Sequence, residues 1–95
     1  LDAFEQGKVY VTIEEETKSD SQMLLCDSLA NRFTNFANIV ICLYANNKIG
    51  QKLAKGEDKS VSIEDQKRFW LAMYTYNSVE GKYFDSDPSS FLGVY

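Results

Sequence analysis

Residues 25–43 read LCDSLANRFTNFANIVICL, and the reading of this stretch decides the fold. Leu25, Leu29, Phe33, Phe36, Val40 and Leu43 recur at steps of four, four, three, four and three. That spacing predicts one apolar stripe along an α-helix. Phe69, Met73, Tyr76 and Tyr83 repeat it after a polar break. Two such stripes predict a mostly α protein, an antiparallel helical hairpin whose helices bury each other's faces.

Working outward, Ser19 with Gln22 forms a capping-box pattern, and Gly56 supplies a stop. The first helix is therefore expected over residues 21–55. Within it Cys42, Ile49 and Leu53 fall nearly opposite the stripe. Either the helix breaks at Asn46-Asn47 or its second half meets a different neighbour. Residues 56–62 read as a loop. Ser62 with Asp65 is a second cap, and the second helix is expected over 63–84, ended by Asp85 to Ser90 with Pro88 in the turn. The tail, 85–95, is apolar and is expected to fold back. At the other end, residues 1–20 form an extended arm and linker. Val9, Val11 and Ile13 alternate there with Tyr10 and Thr12, which reads as a short β-strand. A lone strand leaves backbone groups unmet, so this one needs Phe91–Tyr95, a second copy of the chain, or a partner.

The length of 95 residues suits a single small domain. Because it begins at Leu1 and not Met, the chain reads as processed or as a piece of a longer protein. Hydrophobic residues make up 44%, too many for a disordered chain and more than two helices can enclose. The net charge of −4, with scattered Lys and Arg, argues against nucleic acid and anionic membranes. Lys48, Lys52, Lys55 and Lys59 read as a solvated helix end. The longest apolar run, Ile39 to Ala45, is too short to span a bilayer.

There is no histidine, which removes the commonest general base and metal ligand. Cys26 and Cys42 are too far apart on a continuous helix to bond, so they read as free thiols suited to a reducing, cytoplasmic setting. Glu14–Glu16 and Asp85/Asp87 lack metal-ligand spacing. No nucleophile pairing or phosphate loop appears. No enzymatic activity, cofactor or metal is expected.

What remains is recognition. Tyr and Trp dominate interface hot spots, which makes Trp70 and Tyr74, with Cys42, Ile49 and Leu53, the candidate interface. The expected function is a protein–protein interaction or self-association module, with a homodimer or another protein as partner. A second expectation is a ligand-sensing domain with a pocket around Glu80, Arg32, Tyr76 and Tyr83. A third is a small acidic inhibitor or immunity-type protein that blocks a basic surface through Glu14–Glu16, Asp85 and Asp87.

Overall fold

The structure, a computed structural model, describes residues 6–33 and 36–92. It is a small α/β fold and not a helical hairpin. In chain order the elements are β1 (Gln6–Ile13), α1 (Ser19–Ala30), β2 (Asn38–Ala45), α2 (Lys48–Ala54), a 3-10 turn at Asp58–Ser60, α3 (Ile63–Phe69), β3 (Trp70–Asn77) and β4 (Gly81–Asp85), then a 3-10 turn at Pro88–Phe91. The strands form one mixed sheet in the order β1-β2-β3-β4. β1 and β2 run parallel, with α1 as their crossover, and the other neighbours are antiparallel.

The expected first helix fails at its centre. Residues Ile39 to Leu43 are β-branched or apolar at every position, which is how a central strand covered on both faces reads. Such a run has no period of its own, so helical spacing can be laid over it by coincidence. Val40 and Leu43, counted on one stripe, lie on opposite faces of β2, because side chains alternate along a strand. Leu25 and Leu29 do face the core from α1. Asn46-Asn47, expected as a break, opens a new helix. Asn47 is the N-cap of α2, its Oδ1 accepting from the Gly50 N–H at 2.8 Å. The Ser19/Gln22 capping box does not form. Lys18 occupies the N-cap position of α1 without a side-chain cap, and Gln22 Nε2 donates to the Thr17 carbonyl.

The expected second helix stops after two turns. Ser62 caps α3 through the Asp65 N–H at 3.2 Å, but the chain then extends from Trp70. The β-branched and aromatic residues of β3 suit a half-buried strand. Asn77 Oδ1 accepts the N–H groups of Val79 and Glu80, and Gly81 adopts φ +84°. This closes a tight hairpin into β4.

The sheet buries both faces. On one, α1 packs Cys26 against Ile41, Leu43, Ala72 and Tyr74. On the other, Val40, Cys42, Trp70 and Met73 lie beneath Tyr44, Phe91 and Leu92. A register shift joins the two halves. Leu43 pairs with Ala72 but Tyr44 pairs with Trp70, leaving Leu71 as a bulge. The bulge turns Trp70 onto the Cys42 face, whereas Ala72 and Tyr74 face α1.

The strand read over Val9–Ile13 lies within β1. Its partner is β2 and not the tail, of which residues 93–95 lie outside the described residues. No helix among the described residues is long and apolar enough to cross a membrane.

Candidate protein-interaction surface

β1 is the edge strand of the sheet and pairs with β2 over its whole length, from Gln6↔Asn38 to Ile13↔Ala45. The direction of its backbone groups follows from one hydrogen bond. The Asn46 N–H donates to the Ile13 carbonyl at 2.6 Å, so Ile13 points its backbone toward β2. In a strand the N–H and C=O of one residue point the same way and those of the next residue the opposite way. Val9 and Val11 therefore also bond β2, and Lys8, Tyr10 and Thr12 turn their N–H and C=O groups outward. Among the described residues no strand takes them up.

The side chains of this edge are incompletely covered. α1 lies over β2 and β3. Val9, Val11 and Ile13 touch the core beneath it yet stay partly exposed. On the other face Tyr10 is 43% exposed and leans on Tyr44, ring centroids 6.2 Å apart. Proteins commonly protect sheet edges by brevity, proline, bulges or charge. β4, the opposite edge, is five residues long. β1 is eight residues long, has no proline and pairs without a bulge; Lys8 is its one charge.

The five expected interface residues divide between the faces. Cys42, Leu53 and Trp70 come together in a cleft of about 880 Å³ between the sheet, α2 and α3, together with Tyr10 and Tyr44. Ile49 is half-buried on α2 and does not line that cleft. Tyr74 lies on the α1 face, where its hydroxyl donates to Asp27 at 2.9 Å. The four residues of the expected pocket are also dispersed. Tyr76 lines a cleft of about 740 Å³ with Asp27, Phe33, Phe36 and Lys82. Tyr83 pairs with Thr75 and so faces the other side of the sheet. Glu80 is exposed in the hairpin turn, and Arg32 is exposed just after α1.

Burial favours the neutral form of the two thiols and of two tyrosines. Burial raises the Cys26 thiol to about 12. It raises Cys42 to about 11, against hydrogen-bonding contributions from Tyr44 and Trp70 that favour the thiolate. The Trp70 indole N–H is buried without an oxygen or nitrogen partner. The Cys42 sulfur lies near enough to feel it but is not placed as a true acceptor. Burial likewise raises Tyr44, and burial with the Asp27 hydrogen bond raises Tyr74. Asp27 moves the other way, lowered by its hydrogen bonds from Tyr74 and Lys82. Among the described residues no group of acidic, Cys or His side chains is arranged to hold a metal ion.

The open edge carries a signal that the stripe reading passed over. Once Ile39–Ala45 is taken as a strand, the alternation at Val9–Ile13 has a neighbour, and the order of elements puts β1 outside it. The Asp27–Tyr74–Lys82 cluster has no such local signal, since its members lie 47 and 55 residues apart. Comparison with protein-family models, curated proteins and solved structures finds no match for this chain.

Proposed function

We propose that this chain is a non-enzymatic protein-interaction module that works by adding a strand to its sheet at β1. The observation that carries the reading is the row of outward backbone groups on Lys8, Tyr10 and Thr12, flanked by half-covered apolar side chains. Main-chain hydrogen bonds supply affinity in this mode of recognition, and alternate side chains supply selectivity. The protonated thiols and the absence of histidine fit recognition better than proton or group transfer.

Proline separates the outward side of β1 from the inward side. Thr12→Pro deletes an outward N–H and leaves the bonds to β2 in place, because an edge strand tolerates proline when that N–H faces away from the sheet. The test uses wild type and Thr12→Pro as paired baits in affinity capture, with circular dichroism confirming that both are folded. A partner held by wild type and lost by Thr12→Pro supports the reading. Equal retention by both overturns it.

A further inference from the structure

We infer that the strand added at β1 is β1 of a second copy of the chain, antiparallel, with the two-fold axis passing at Val11. This rests on the edge reading above and names its occupant. Three features of the edge, none of which requires the others, agree on this register.

The first is the phase of the backbone. In an antiparallel pair, residues directly opposite either both point their backbone groups at each other or both point them away. With the axis at Val11, Tyr10 faces Thr12 of the second copy. Both are outward residues, so they exchange N–H···O=C bonds. Val11 faces its own symmetry mate as a non-hydrogen-bonded pair.

The second is the apolar row. The axis sets Val11 on Val11 and Val9 on Ile13 across the interface. These are the side chains that α1 leaves partly exposed. A two-fold normal to the sheet keeps each face on its own side, so the row continues the α1-side core from one copy into the other.

The third is charge. Lys8 is exposed on the Tyr10 face of β1, and Glu14 is exposed just past the end of the strand, its carboxylate within 3.4 Å of the Asn46 side-chain amide. The same axis puts Lys8 of each copy opposite Glu14 of the other, and opposite charges facing across strands are favourable. Lys8, which would repel most strands, thus selects this one. Neighbouring registers centred on a residue satisfy the backbone phase equally but fail on the apolar row and on charge. Moving the axis to Tyr10 sets Ile13 against Gly7 and takes Glu14 away from Lys8. Moving it to Thr12 sets Val9 against Glu15.

Only the residue on a two-fold axis meets its own copy, which gives a test by cross-linking. Non-hydrogen-bonded neighbours have Cα atoms about 4.5 Å apart, within the span of a disulfide. Val11→Cys is therefore expected to form a covalent dimer under mild oxidation, read on a non-reducing gel. Val9→Cys alone is not, because its symmetry mate lies roughly 13 Å along the strand. Val9→Cys mixed with Ile13→Cys is expected to cross-link. The native thiols are buried and do not compete. A variant too unstable to fold is recognised by circular dichroism, so a charge pair provides a second route. Glu14→Lys should weaken the dimer about tenfold by light scattering, and Lys8→Glu in the same chain should restore it.

Cross-linking at Tyr10→Cys but not at Val11→Cys, or a dimer indifferent to Glu14→Lys, overturns the register. A monomer at every concentration overturns the second copy as occupant. If Thr12→Pro still loses a partner that wild type captures, the edge reading survives that result. If it does not, both fall.

Discussion

The Tyr74 hydroxyl donates to Asp27 Oδ1 at 2.9 Å and ties the centre of β3 to the last turn of α1. Lys82 Nζ reaches the same carboxylate at 3.1 Å from β4. One acidic side chain thereby fixes how the crossover helix sits on two strands that follow it in sequence. Removing the hydroxyl leaves the aromatic packing in place, so Tyr74→Phe should cost about 1 kcal/mol. Lys82→Met should cost less, because that ion pair is partly exposed and screened by solvent. Urea unfolding of both variants against wild type checks the order.

The same carboxylate sets an acid limit. Its folded pKa lies below the ordinary 3.8 because Tyr74 and Lys82 stabilise the charged form. The contribution is therefore present above the ordinary carboxylate range and is lost as pH falls through the lowered folded value. The difference in urea midpoint between wild type and Asp27→Asn should be largest near neutral pH and shrink at acid pH. A difference that stays constant with pH would remove Asp27 from this role.

The thiols set an alkaline limit with the opposite sign. Both are raised from 9.0, to about 12 for Cys26 and about 11 for Cys42. Their contribution is complete below the unfolded value of 9.0 and is lost as pH rises through the folded values. Melting temperature should therefore fall from about pH 9 upward, and fall less steeply in Cys42→Ala. A chromogenic thiol reagent at neutral pH should find no reactive group in the folded chain and both in urea.

Two glycines separate steric from conformational need. A Cβ on Gly50 would lie 1.7 Å from the Ala45 carbonyl oxygen, where α2 turns back over the end of β2. Rigid backbone cannot yield, so Gly50→Ala should cost at least about 3 kcal/mol. Gly56 has open space around it but φ +81°. Gly56→Ala should cost about 1 kcal/mol. Thermal unfolding of the pair distinguishes the two mechanisms.

Proline scanning of β1 should alternate. Val11→Pro removes an N–H that bonds β2 and should cost about 3 kcal/mol or more. Thr12→Pro should cost about 1 kcal/mol, as its N–H faces away from the sheet. Equal costs would contradict the direction of the backbone groups inferred from the Asn46–Ile13 bond.

Local features were legible in the sequence to the extent that their causes are local. The Ser62 cap and the alternation of Val9–Ile13 each depend on a few neighbouring residues, and each is present; the segment after Gly56, expected as a loop, winds into a short 3-10 turn at Asp58–Ser60. The helical stripe misled because its members serve different purposes. Leu25 and Leu29 face the sheet from a helix, whereas Val40 and Leu43 face away from each other on a strand buried on both sides. Asn77 to Gly81 carried a hairpin signal, a short polar connection ending in glycine, that the second stripe overrode. The side of Trp70 was not readable from spacing at all. The bulge at Leu71 sets it, and the bulge exists only in the pairing with β2. For the same reason the candidate interface groups Trp70 with Tyr74, which the sheet separates.

The parallel pairing of β1 with β2 also orders events in time. The β3–β4 hairpin closes over a short turn, whereas the β1–β2 and β2–β3 connections, residues 14–37 and 46–69, are equally long and each carries helix. β1 joins only after the segment carrying α1 has closed between two strands that must run the same way. Non-local parallel pairing of this kind is slow. The hairpin half can thus be assembled while β1 is still unattached, and β2 of any nearby copy then offers the same parallel site. In concentrated refolding, exchange of β1 between chains competes with its docking at home, so the edge proposed to receive a partner strand is also the segment most exposed to misassembly on the way there.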